Sequence, residues 1–515
     1  MSSCINKIVI VGGGTAGWLT AGIIASHHKT NINKKIKIVL IESDDIATVG
    51  VGEGTWPTMK NTLNKIGIKE SDIFYHCHAA FKQGGKFVNW KKSPTNSNND
   101  FYYHPFTVPL GYGQLDLAPY VSCIENFAVE SNYQQAICEA GLAPKTLSEL
   151  AYQGQCNYAY HIDAGALGEL LKNHCKANLS VEHIIGNVDQ AQLTADGFIH
   201  SVCLTGQGKV TGDLFIDCTG STSFLLGKTL AVPFIKVDNI LFNDSALAVH
   251  VPYDENEAPM ACHTIATGQN AGWIWDIGLS NRRGVGHVYA SNFLNDDDAE
   301  NNLRSYLGDS KENLSIRKIH FESGYRECFW KNNCVAVGMS AGFVEPLEAT
   351  AIMLIELSGR YIAENLPADN KTMAITSKRF NQQMNYRWQR IIDFLKLHYF
   401  LSERNEPYWK AHRESYSLSE SLLEDLAIWK YRGPVSSDFE STIELFPAAS
   451  YQYVLYGMGF KPNFDSQPYL YDERSKADKI IQRNHQLTEQ MLQHLPPHRD
   501  FIKRWLADSY DNKKV

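Results

Sequence analysis

Residues 9–21 read VIVGGGTAGWLTA, and the fold turns on them. Residues 7–11 (KIVIV) are short, β-branched and stopped by glycine, the pattern of a buried strand. Gly12, Gly14 and Gly17 follow with Gly-x-Gly-x-x-Gly spacing, and from Trp18 to about Ser26 the chain reads as helix. A second strand-like run, IKIVLI, covers 36–41 and leads into Glu42. A lone Gly-x-Gly-x-x-Gly is weak evidence. After a strand, at the opening of a helix and before a second strand, it is strong. The order β–Gly loop–α–β predicts a parallel, Rossmann-like unit. The glycines let backbone approach a pyrophosphate, whose charge sits at the positive helix N-terminus. Glu42 is placed to accept hydrogen bonds from an adenosine ribose, and an acid there favours a free 2′-hydroxyl, hence FAD or NAD rather than NADP. The plain alternative is a tight structural turn.

Outward from this unit, LFIDCTG (214–220) and CVAVGMSAG (334–342) repeat the strand-then-glycine pattern. Such late elements are expected where a long dinucleotide returns to the same sheet. No second Gly-x-Gly-x-x-Gly is present, so a bound FAD would draw its electrons from outside the chain. Residues 92–100 (KSPTNSNND) read as an exposed loop, and 246–251 (ALAVHV) as a strand. Helices dominate from about 350, and within 386–399 Trp388, Ile391, Ile392, Leu395 and Tyr399 share one helical face.

Composition excludes several classes. With 515 residues the chain has ample length for a core that encloses a cofactor. Its 48 Lys+Arg against 56 Asp+Glu give a net charge of −8, without the basic footprint of a nucleic-acid binder. The 11 cysteines are odd in number and lack CxxC pairs, so neither a disulfide framework nor a zinc pattern is read, and a reducing cytoplasm fits. No apolar run reaches the ~18 residues that span a bilayer, and the N-terminal apolar run leads into glycines rather than a cleavage site. Aromatic residues make up 11%. They suit a site for flat rings or an ordinary core, and composition does not choose.

Four segments together resemble the flavin-dependent tryptophan halogenases: GGGTAGW at the N-terminus; Phe81-Lys82 followed by KFVNW (86–90); Trp273-Ile274-Trp275-Asp276-Ile277; and Gly342-Phe343-Val344-Glu345-Pro346-Leu347-Glu348-Ala349-Thr350. The resemblance covers about residues 5–400. It implies an α/β fold: a Rossmann-like FAD-binding core of the flavin monooxygenase type with mixed β-sheet over 1–360. Substrate-binding segments are inserted at about 75–160 and 230–330, and a mainly helical region, 361–515, covers the substrate site. It also implies an enzyme that uses FAD as FADH2, supplied by a separate NAD(P)H-dependent flavin reductase. O2 gives a flavin hydroperoxide, and halide, chloride or bromide, attacks it to give hypohalous acid. That acid passes to a lysine matched by Lys82, which activates the halogen beside a small aromatic substrate: tryptophan, indole or an indole derivative. Glu348 matches a glutamate that assists substitution of the ring. The halide rests against backbone N–H groups matched by Thr350 and Ala351. His104 and Phe106 match positions that sandwich the substrate ring, and Trp273 and Trp275 match a barrier between substrate and flavin. The cofactor set implied is Gly12, Gly13, Gly14, Thr15, Ala16, Gly17, Glu42, Glu53, Gly54, Val188, Met339 and Ile352. Two departures stand out: Ala351 where glycine is commoner, and Gly278 where proline usually follows the WxWxI element.

The chemistry of these residues suits the roles. Desolvation disfavours an ammonium, so an enclosed lysine loses its proton more easily. The neutral amine could form a haloamine, whereas the ammonium could polarise hypohalous acid; both remain open. Lys86 is the competing lysine, and Glu345 the competing carboxylate. A carboxylate at Glu348, near a helix start, could serve as a simple helix-start acid or stabilise a cationic ring and take its proton. His76-Cys77-His78 and Asp296-Asp297-Asp298 are read as structural, and no metal is expected. The segment 445–460, with Phe446, Tyr451, Tyr453 and Tyr456, is expected over the substrate mouth. The rival functions are an FAD-dependent aromatic hydroxylase and a non-catalytic flavin-binding protein. A homodimer is left open, and neither nucleic acid nor membrane is an expected partner.

Overall fold

Runs of apolar β-branched residues suit strands covered on both faces, and Ile8, Val9 and Ile10 are fully buried. The structure is a computed structural model that describes residues 5–33, 35–45, 52–95, 100–255, 257–308, 314–441 and 444–511. Cys4, and residues 96–99 of the loop expected over 92–100, lie outside the described residues. The chain forms two compact units, each built from three stretches.

The first unit comprises Met1–Ala79, Ile162–Lys236 and Glu322–Trp388. Its main sheet has the order Trp330–Lys331, Cys334–Ala336, Leu214–Asp217, Lys7–Val11, Lys37–Glu42, Glu182–Ile185. All neighbours are parallel except the Trp330–Lys331 edge. Both late strand-then-glycine elements therefore return to the sheet of the N-terminal strand. Helices Thr15–His28, Ala164–Asn178 and Thr350–Glu364 belong to this unit, and the first packs on the other two. The first helix begins at Thr15, three residues before Trp18, because the Trp18 N–H already donates to the Gly14 carbonyl at 3.1 Å. The glycine-rich turn is thus part of the helix start.

The second unit comprises Ala80–His161, Val237–Phe321 and Gln389–Val515. Its seven-stranded sheet runs Arg317–His320, Ser245–Pro252, Arg282–Tyr289, Gly272–Gly278, Thr264–Gln269, Gly84–Val88, Phe101–Pro105. One pairing, Thr264–Gln269 with Gly84–Val88, is parallel and the rest are antiparallel, so the sheet is mixed. The strand Ala80–Lys82 pairs separately with residues 159–161. The helical remainder includes Glu420–Trp429, Ala448–Gly457 and Arg474–His494. The face Trp388, Ile391, Ile392, Leu395 and Tyr399 is buried along the helix Asn370–Phe400. Among the described residues no helix is long and apolar enough to cross a membrane.

Candidate active site

In the first unit the glycine loop is shaped by close backbone approach. A Cβ on Gly12, whose φ is +116°, would stand 2.1 Å from the Cys218 carbonyl oxygen; one on Gly17 would stand 1.9 Å from the Gly12 oxygen. Gly14 differs, because a Cβ there would meet nothing within 4 Å. Gly14 precedes the first turn of helix Thr15–His28, a turn with no side-chain cap and no acidic residue. Thr15 Oγ1 turns away, donating to the Ala164 carbonyl at 2.9 Å. An open approach to the N–H groups of Thr15, Ala16 and Gly17 at a positive helix end fits a pyrophosphate. A Cβ on Gly13 would fall 2.2 Å from Glu42 Cγ, so the carboxylate arm of Glu42 lies along the loop. His183 Nε2 lies 2.8 Å and Lys172 Nζ 3.7 Å from that carboxylate at the end of its strand. An anchored acceptor there fits an adenosine ribose.

The other expected cofactor residues fall in two groups. The Gly186 N–H donates to the Glu42 carbonyl at 2.8 Å, and Val188 follows two residues after Gly186. A Cβ on Gly338 would stand 2.9 Å from Ala16 Cβ, so the turn bearing Met339, which is exposed, lies against the helix start. Ile352 is buried in helix Thr350–Glu364. Glu53 and Gly54 lie on the short strand Gly52–Gly54, where burial, and behind it the Asp163 carboxylate, push Glu53 up to about 7.

Glu348 and Glu345 are both buried. The Glu348 carbonyl accepts the Trp56 indole N–H at 2.8 Å, which pins the loop backbone. Ala349 then adopts a left-handed conformation, φ 54° and ψ 43°, and caps helix Thr350–Glu364 without a side-chain hydrogen bond. This turn makes Thr350 and Ala351 the first two residues of a helix with no acid in its first turn. Their N–H groups are at a positive helix end, a setting that suits an anion.

In the second unit Lys82 ends the strand Ala80–Lys82 and is only 4% exposed. Its Nζ stands 5.1 Å from the centre of the Phe106 ring. Gly84, at φ +149°, would place a Cβ 2.5 Å from the His104 carbonyl oxygen, so only glycine lets the chain beyond Lys82 run this close to His104. His104 Nε2 shares a 2.9 Å hydrogen bond with Ser450 Oγ, and its ring meets the Phe394 ring edge-on at 5.6 Å. His161 is held well below its ordinary range by burial first and the Lys82 charge second, so it stays neutral. Lys86 is committed elsewhere: its Nζ pairs with Glu139 at 2.6 Å and lies over the Phe101 ring.

Trp273 and Trp275 lie two apart on the strand Gly272–Gly278, both buried, with ring centres 6.4 Å apart. A Cβ on Gly286 would sit 2.1 Å from the Trp275 ring, so that glycine makes room for the indole. Gly278 is paired opposite Arg283 in the ladder. The segment 445–460 is largely buried: helix Ala448–Gly457 packs on the strand Phe101–Pro105. Tyr453 Oη donates to the Thr107 carbonyl at 2.9 Å and accepts from Asn132 at 2.8 Å; Arg390 donates to Tyr451 Oη at 2.9 Å; and Phe446 stacks on Phe394 at 3.8 Å. Ser450 and Phe394 are thus neighbours of His104 that sequence reading did not single out. Their only advance signal was the aromatic density around them.

His76 and His78 are exposed while Cys77 is buried, its thiol pushed up to about 12 by burial and by Asp163. Asp296, Asp297 and Asp298 open helix Asp296–Leu307 behind an Asn295 cap, and Asp296 pairs with Lys318.

The profile of the family described as tryptophan halogenase matches residues 7–471. The crystal structure of a tryptophan halogenase from Shewanella frigidimarina NCIMB 400 is similar with a TM-score of 0.93 and 44% identity, over 98% of each chain. Tryptophan 6-halogenase SttH of Streptomyces toxytricini is 32% identical over 88% of this chain and 89% of the relative. The 7-chloro-L-tryptophan 6-halogenase KtzR of Kutzneria sp. (strain 744) is 31% identical over 96% and 99%.

Proposed function

The chain belongs to the tryptophan halogenase family, and on that premise we propose that it installs chloride or bromide on the indole ring of tryptophan. FADH2, when bound and supplied with O2 and halide, provides the electrophilic halogen as hypohalous acid. The glycine loop Gly12–Gly17 and Glu42 hold this cofactor, and the N–H groups of Thr350 and Ala351 hold the halide. Trp273 and Trp275 keep the substrate from the flavin. A separate flavin reductase supplies FADH2, since only one dinucleotide loop is present. A reducing cytoplasm suits the ten described cysteines, all free thiols.

The observation that carries the reading is Lys82. It is only 4% exposed, and its Nζ lies 5.1 Å from the centre of the Phe106 ring, so its amine is held beside an aromatic ring and away from bulk water. In the proposed role its amine holds the halogen by hydrogen bonding or by an N–halogen bond, next to the ring gripped by His104 and Phe106. Glu348 supplies a carboxylate, fixed through its own backbone by Trp56, that steadies the cationic ring and accepts its proton. A positioned acid–base group contributes about 10²–10⁴-fold to rate. Lys82→Ala and Glu348→Gln should each lose at least about 100-fold in halogenation turnover while still binding FAD. Turnover at the wild-type rate in either variant, measured by product mass, would remove that residue from the mechanism.

A further inference from the structure

Behind the lysine strand of the second unit, three buried side chains converge that the proposed halogenation does not use. The sulfurs of Cys138 and Cys262 and a ring nitrogen of His263 all lie within 4.8 Å of one another. Cys138 comes from the short helix Gln134–Glu139, whereas Cys262 and His263 immediately precede the strand Thr264–Gln269. In sequence the two cysteines are 124 residues apart, so no ligand spacing announces them.

The surroundings of His263 assign its two nitrogens. Nε2 faces Tyr103 Oη at 3.4 Å. Tyr103 in turn donates to Glu139, which pairs with Lys86 at 2.6 Å. Nδ1 is buried and has no hydrogen-bond partner, although His263 is only 6% exposed. A buried ring nitrogen without a partner costs free energy. A histidine whose Nε2 is oriented by a Tyr–carboxylate chain, whose Nδ1 has no hydrogen-bond partner, and which has two sulfurs within 4.8 Å of a ring nitrogen has the layout of a metal-ligating imidazole and its supporting shell.

We propose that Cys138, Cys262 and His263 form a site for a thiophilic cation, zinc(II). Binding converts two thiols to thiolates and releases two protons to solvent; Zn–S bonds replace S–H bonds, and no oxidant is involved. Two thiolates, one neutral imidazole and Zn2+ sum to zero charge, which suits a buried site.

The site would act as a staple for the lysine strand. The Gln83 N–H donates to the Cys262 carbonyl at 2.7 Å, and Gln83 follows Lys82 directly. A metal held by Cys262 would fix that backbone.

The test uses the full chain without a histidine tag, stripped of metal and titrated with Zn2+ against a chromophoric chelator, then with Co2+. Wild type should take up one equivalent, and Co2+ should give an intense thiolate charge-transfer band. Cys138→Ser and Cys262→Ser should lose the band. Tyr103→Phe, which keeps every ligand, should weaken affinity about 10–100-fold. Cys123→Ser, at an exposed thiol, should match wild type. No stoichiometric uptake by wild type, or a band that survives Cys262→Ser, would overturn the proposal. Metal uptake does not depend on the halogenase reading, so failure of either leaves the other standing. If the cysteine variants do not fold, the wild-type band and Tyr103→Phe still decide.

Discussion

Glu356 shows how one residue sets a pH dependence. It lies inside helix Thr350–Glu364, 2% exposed, accepting from Thr62 Oγ1 at 2.5 Å and Thr58 Oγ1 at 3.2 Å. Burial pushes its carboxyl from an ordinary 4.5 up to about 7. Between those values the folded chain holds a proton that the unfolded chain has lost, so stability falls as pH rises through the window. Above it the penalty is complete, on the order of 3 kcal/mol. Glu356→Gln should therefore melt higher than wild type at pH 8 and lose that advantage near pH 4.5. Thermal melts at the two pH values check this, and a wild type as stable as the variant at pH 8 would contradict it. At this scale legibility is uneven. Lys82 and Glu348 stand in quoted motifs, and His104 is named through the family resemblance. Ser450 could not be named in advance, because it reaches His104 from 346 residues away and no local pattern encodes such a pair.

The dinucleotide loop shows what an element demands. Its strand and helix were readable from β-branched runs and glycine spacing, because both signals are local. The helix start was displaced by three residues, since glycine lowers helix propensity while tertiary contact demands it. Gly12→Ala would bring a Cβ to 2.1 Å from a backbone oxygen at φ +116°, with no flexible side chain to yield. That variant should lose FAD binding by fluorescence titration and should melt lower. Unchanged affinity would show that the loop is not the cofactor cradle. Helix Ala448–Gly457 is the opposite case. Its residues are largely buried, so no polar face marks the side that packs on Phe101–Pro105.

Across the whole molecule the chain visits each unit three times. The glycine loop and Glu348 belong to one, and Lys82, His104, Phe106, Trp273 and Trp275 to the other. The aromatic content divides: Phe106 lies beside Lys82, whereas Trp330, Trp409 and Trp429 are buried packing. The central claim, halide-dependent substitution of an indole ring, has one direct test. Purified protein is incubated with FAD, a flavin reductase, NADH, O2 and L-tryptophan, with chloride, with bromide or without halide, and products are read by mass spectrometry. The account predicts tryptophan carrying the isotope pattern of one chlorine or one bromine, and no product without halide. A product that gains oxygen in the halide-free reaction would contradict it and identify a hydroxylase instead.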